Sequence, residues 1–172
     1  YYLELYSSNR ESLIDSLKEM RPKYQTKNGR TVYGGGGITP DIYIPYSSKT
    51  TSSVQKITGH NKRPIFNWAS SYTDNYKLNE NFDNYRFFKN NWKLPLEHHT
   101  NFLQYLETEG IVTDTVYTDE EIEMLTLRIK AEIAGVIWGR NEATGVRLRE
   151  DNQVQEGIKY FDEASVFINH SF

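Results

Sequence analysis

"YTDEEIEMLTLRIKAEIAGVIWG", residues 117–139, carries the marks of one long helix. Thr118 and Glu121 stand at capping-box spacing, and Asp119 and Glu120 fall where a helix dipole favours acid. Ile122, Leu125, Ile129, Ile133 and Val136 recur every three or four residues and form one apolar stripe. Gly139 suits the C-cap. A helix over 119–138 is about 30 Å long at about 1.5 Å per residue. Its stripe has to bury against something, and the neighbouring segments offer further helices.

On the N-terminal side, "PIFNWASSYTDNY" (64–76) places Phe66, Ala69, Thr73 and Tyr76 at helical spacing behind Pro64. "ENFDNYRFFKNNW" (80–92) gives a second short helix through Phe82, Tyr85 and Phe88. "LPLEHHTNFLQYLETEG" (94–110) has Pro95 at a helix start and Gly110 just past its end, with Leu96, His99, Leu103 and Leu106 on one side and Phe102 beside them. On the C-terminal side, Asp151 caps a last helix with Val154, Ile158, Phe161 and Ala164 inward. Residues 8–20, "SNRESLIDSLKEM", form an earlier helix with Ser8 and Glu11 at capping-box spacing, ended by Pro22.

A different pattern fills 23–46. Asn28-Gly29 is a hairpin signal between short strands carrying Tyr24 and Thr26, then Thr31 and Tyr33. Gly34, Gly35, Gly36 and Gly37 follow. Ile42 and Ile44 alternate with Tyr43 as another strand ending at Pro45. Residues 47–63, rich in Ser, Thr and Lys, read as an exposed connection. The expected fold is therefore mainly α: a β-rich arm over 1–46, a linker over 47–63, and an α-helical bundle over 64–172.

The chain has 172 residues, a formal net charge of -3 and no cysteine. No disulfide or thiolate chemistry is available, and no clustered basic tail points to nucleic acid. No run of eighteen apolar residues is present to span a membrane. The glycine run is not a phosphate cradle. It lacks the Gly-Lys of a P-loop, and the sixth position from Gly34 is Thr39, followed by a strand and not a helix. Its simpler role is backbone: positive φ and close approach between Val32 and Ile42. His60, His98, His99 and His170 have no metal-ligand spacing, and no serine sits in Gly-x-Ser-x-Gly. The acids at 119–123 are explained by the helix start. Trp68, Trp92 and Trp138 could line a groove, although core or interdomain packing is the better reading of Trp138. No cofactor and no metal is expected.

"KYQTKNGRTVYGGGGITPDIYIP" (23–45) resembles the segment that follows the catalytic core in carboxyl-terminal processing peptidases, the tail-specific serine proteases, particularly a Bacteroidetes-like branch. "YYLELY" before it, and "IKAEIAGVIWG" (129–139) and "DNQVQEGIKYF" (151–161) after it, are similar to that branch in the same order. The resemblance implies a parent serine endopeptidase with a serine-lysine dyad, cutting polypeptides near their C-termini, with a PDZ domain in cis and a place in the cell envelope or periplasm. In that family the dyad and PDZ domain lie upstream of the glycine-Pro-Asp block, so no serine or lysine here inherits a catalytic role. Lys23, Lys27 and Lys49 are not candidates. Gly34, Gly35, Gly36, Gly37, Pro40 and Asp41 are implied to be framework positions, where a returning strand joins the catalytic domain. Two alternatives stand beside this: a stand-alone helical interaction module, and a hydrolase with dispersed catalytic residues. The first predicts a β arm folded onto its own helices, the second a concave pocket with convergent polar groups.

Overall fold

A computed structural model describes residues 19–27, 29–35, 42–47, 50–76, 84–111 and 116–169. It is mainly helical, with one short antiparallel hairpin preceding the helices. Eight helices are bounded within the described residues: α1 (Ser52–Thr58), α2 (Pro64–Tyr76), α3 (Tyr85–Asn91), α4 (Leu96–Thr108), α5 (Asp119–Ile137), α6 (Arg140–Arg147), α7 (Asn152–Ile158) and α8 (Phe161–Asn169). The chain divides into two compact units. One is Ser47–Gln155; the other combines Tyr1–Tyr46 with Glu156–Phe172, so the division falls inside α7.

In the helical unit, α5 is the central element and packs chiefly against α2 and α6. Both halves of its capping box are made: Glu121 N–H donates to Thr118 Oγ1 at 3.3 Å, and Thr118 N–H donates to Glu121 Oε2 at 3.0 Å. Leu125, Ile129 and Ile133 are buried as their spacing implies, but so are Ala131 and Ala134, while Val136 is exposed. The apolar stripe is wider than the periodicity suggests because α6 covers a second side of the helix. Small residues allow that approach: a Cβ on Gly135 would lie 3.4 Å from the Ala143 Cβ. Gly139 joins the two helices directly, with φ 117° and ψ -179°, a conformation open essentially to glycine alone.

α4 ends in a Schellman motif. The Ile111 N–H reaches the Leu106 carbonyl, the Gly110 N–H reaches that of Glu107, and Gly110 takes φ 65°. Its buried face is His98, Phe102 and Leu106. Leu96, expected on the inner side, is 82% exposed. The core-facing line runs at four-residue steps from His98, one residue round from the expected line.

The reading of 47–63 as an exposed connection is corrected. Thr51 caps α1, its Oγ1 accepting from the Val54 N–H, and Val54 and Ile57 are among the most completely buried side chains. Two apolar residues three apart are enough to anchor two turns of helix, even where the surrounding Ser, Thr and Lys lower the local average.

The C-terminal helix is also corrected. It is two helices: Lys159 and Tyr160 make i→i−3 bonds to Glu156 and Gly157, and α8 starts afresh with Ala164 N–H donating to the Tyr160 carbonyl. Gly157 weakens the helix just before the break. Asp151 caps α7 as expected, accepting from Val154 N–H at 3.0 Å. Ile158, Phe161 and Ala164, read as inward, are exposed.

In the second unit, β1 (Lys23–Gln25) pairs with β2 (Thr31–Tyr33) in the register Lys23↔Tyr33, Tyr24↔Val32 and Gln25↔Thr31. The Gly29 N–H closes the turn onto the Thr26 carbonyl and Gly29 takes φ 75°, so the left-handed residue follows the turn, as in G1-bulge hairpins. Thr26 therefore belongs to the turn and not to a strand. Ile42–Tyr46 carries no strand, against the expectation for 42–44. Alternation alone does not make a strand: the ladder needs a neighbour, and Pro45 withholds a donor. Of the helix expected over 8–20, Glu19 and Met20 are helical and the rest lies outside the described residues.

Candidate functional site

Of the six framework positions named from the sequence, Gly34 and Gly35 are described; Gly36, Gly37, Pro40 and Asp41 lie outside the described residues. Gly34 extends the hairpin ladder, its N–H donating to the Pro22 carbonyl at 2.9 Å. That donor is engaged and does not face an anion. A Cβ on Gly34 would sit 2.7 Å from Cε2 of Tyr24, whose ring lies over the backbone there. Gly35 follows with φ 80°. The described glycines thus permit a close crossing and a left-handed turn.

In the helical unit, the most connected polar group is Glu121. Its Oε1 accepts from Thr51 Oγ1 at 2.6 Å, and its Oε2 accepts from the Thr118 N–H and hydroxyl. A hydroxyl on a carboxylate has the outline of a nucleophile and base. The electrostatics run the other way. The bonds from Thr51 and Thr118 hold the Glu121 carboxyl below its ordinary range, which makes it a weaker base. Thr51 and Glu121 instead join the N-termini of α1 and α5. Beside them the Tyr117 hydroxyl is buried without a hydrogen-bond partner, and burial, with the Glu121 charge, raises its pKa.

Of the four histidines, His170 lies outside the described residues, and His98 and His99 cross-link the core. His98 is buried edge-on to the rings of Tyr72 and Tyr76, with Nε2 3.3 Å from Glu97 Oε1. His99 bridges α4 and α5: its Nε2 donates to the Leu94 carbonyl at 3.2 Å, and its Nδ1 lies 3.3 Å from Thr126 Oγ1. A void of about 10 Å³ adjoins His99, Phe102 and Thr126, about the least that can hold one water molecule. Among the described residues no three His, Asp or Glu side chains converge to hold a metal. No helix of the described residues is long and apolar enough to cross a membrane.

The tryptophans pack. Trp92 stacks on Phe88 at 4.8 Å, Trp138 lies against Phe88 and Tyr85 at 5.1 and 5.5 Å, and Trp68 stacks on Tyr72 at 5.2 Å. Tyr85 reaches across to α6, where its hydroxyl donates to the Glu142 carbonyl at 2.9 Å and occupies the space a Cβ on Gly145 would need.

One group escaped the sequence reading. Lys130 projects from α5 into the end of α3, donating to the Lys89 carbonyl at 3.0 Å and the Trp92 carbonyl at 2.7 Å, with its ammonium 5.5 Å from the centre of the Phe88 ring. Burial, then the charges of Arg149 and Lys93, lower its pKa to about 8. The signal available in the sequence was a lysine set between the buried positions Ile129 and Ala131.

Residues 60–139 match the profile of a family of unknown function (DUF8443), which covers most of the helical unit and none of the arm. No curated protein and no solved structure matches the chain.

Proposed function

We propose that this chain is the non-catalytic C-terminal region of a serine endopeptidase of the carboxyl-terminal processing type. Its serine-lysine dyad and PDZ domain belong to upstream sequence, and the glycine-Pro-Asp arm docks on the catalytic domain. The parent enzyme acts on polypeptides in the cell envelope, and the helical unit supports its framework. The observation that supports this reading is the condition of the unit that holds the arm. Its hairpin has two strands among the described residues, and Tyr24, Ile42 and Tyr46 of the arm are exposed, as are Ile158, Phe161 and Val166 of the C-terminal helices grouped with it. An apolar, short-stranded unit of this kind suits a piece whose partner surface lies on another domain.

The test has two parts. The gene should continue upstream of Tyr1 in frame and encode a serine and a lysine in the family's dyad positions. The chain alone, incubated with unfolded protein and a serine-reactive probe, should neither cleave nor become labelled. A start codon immediately before Tyr1, or labelling of one serine within the chain that is lost on its substitution, overturns the reading.

The second reading, a stand-alone helical interaction module, is favoured by the self-contained core of Ser47–Gln155. Every buried residue among those described lies between Val54 and Val146. It predicts that this unit, separated from the arm, retains a binding partner of its own.

A further inference from the structure

The Lys89 carbonyl at the end of α3 accepts from two cations at once, Lys130 Nζ at 3.0 Å and Arg149 Nη1 at 2.8 Å. The two nitrogens are therefore separated by no more than those two bonds laid end to end. Lys93, just beyond α3, adds a third positive charge near enough to disfavour the Lys130 ammonium. Like charges are gathered here, and no ion pair of the described residues engages Lys93, Lys130 or Arg149. The half charge at a helix C-terminus and two carbonyls account for one cation, not three. Donors remain as well. The Lys130 ammonium has three N–H groups and two acceptors, the Lys89 and Trp92 carbonyls, Arg149 uses one of its five, and Lys93 is exposed with none.

We propose that Lys93, Lys130 and Arg149 form a binding site for a phosphate-type oxyanion beside the C-terminal end of α3. The partly buried Lys130 forms its floor, and the exposed side chains of Lys93 and Arg149 its sides. A dianion offers several acceptor oxygens and cancels most of the excess charge, and Arg149 presents the planar fork that oxyanions accept. The site lies wholly within the helical unit and is independent of the peptidase reading.

The whole 172-residue chain is titrated with sodium phosphate, and in parallel with sodium chloride at matched pH and ionic strength. Backbone amide shifts are followed by NMR. Phosphate is expected to give saturable shifts centred on 89–93, 130 and 147–150 that chloride does not reproduce. Lys93→Gln and Arg149→Gln are each expected to weaken phosphate binding about tenfold, the loss of roughly one charge-assisted hydrogen bond. Lys93→Gln, which breaks no hydrogen bond within the helical unit, should leave the melting temperature unchanged and so separates binding from folding. A third arm uses glycerol phosphate: tighter binding than inorganic phosphate assigns the site to an esterified phosphate group, equal binding to the free ion. Equal effects of chloride and phosphate, saturable shifts centred elsewhere, or wild-type affinity in Lys93→Gln would overturn the proposal.

Discussion

The helical unit and the arm unit treat apolar side chains in opposite ways. In Ser47–Gln155, Phe88, Phe102, Ile57, Leu106, Ile129 and Ile133 are all but inaccessible. In the arm unit no described residue is buried, although its sequence is rich in Tyr, Ile and Phe. Apolar content is not what separates them. A helix of nineteen residues such as α5 satisfies its own backbone and can commit a whole face to packing. Strands of three residues satisfy only each other, and a two-stranded hairpin is marginal without a further surface. The first unit closes a core from local elements; the second has material for a core and no element long enough to close it.

The largest expected effect comes from cutting at the wrong boundary. A fragment over 47–155 should unfold cooperatively on heating, followed by circular dichroism. A fragment over 64–155 loses Val54 and Ile57, each worth about 1.5–3 kcal/mol of burial, and should melt far lower or without cooperativity. Equal melting of the two fragments would remove α1 from the core and return 47–63 to the role of a linker.

Within the helical unit, Phe102→Ala should destabilise by about 3–5 kcal/mol in denaturant titration, as expected where a 2% exposed ring is lost from a packed site. A loss below about 1 kcal/mol would mean that the side chains around His99 and Thr126 relax into the space the ring leaves.

A smaller effect, readable through its pH dependence, concerns Glu121. Its pKa is lowered in the folded protein from an ordinary value of 4.5, so the unfolded chain binds the proton more readily. The resulting stability is fully present above that ordinary value and is lost as pH falls through the folded value. Wild type should therefore exceed Glu121→Gln in stability at neutral pH, and the two curves should converge in acid. A gap that persists unchanged in acid would show that shape, not charge, joins α1 to α5.

The smallest effect is expected in the unit that holds the arm. Phe161→Ala should change the stability of this chain by less than about 0.5 kcal/mol, since the side chain is 68% exposed. In the proposed parent enzyme the same change should lower folded yield. A large loss in the chain alone would instead give that unit a core of its own and erase the contrast between the two units.

The sequence by itself determined the helices whose signals are local. The α5 capping box, the Asp151 cap, the stop at Gly110 and the left-handed residue at Gly29 each depend on a few neighbouring residues, and hydrogen bonds of three to five residues' span realise them. It did not determine which way the helices turn or what their second faces meet. Leu96 and Val136 are exposed while Ala131 and Ala134 are buried, because the positions of α2 and α6 choose the covered sides of α5 and its neighbours. Val54 and Ile57 went unread because a short helix gains its stability from burial, and burial is a property of the assembled unit. Ile42–Ile44 was read as a strand for the converse reason: alternation states a preference, and only a neighbouring strand can supply the hydrogen bonds. The gathering of Lys93, Lys130 and Arg149 is tertiary throughout. Fifty-odd residues of sequence separate its ends, and only the packing of α5 and the end of α6 against α3 brings two cations to the Lys89 carbonyl, near a third.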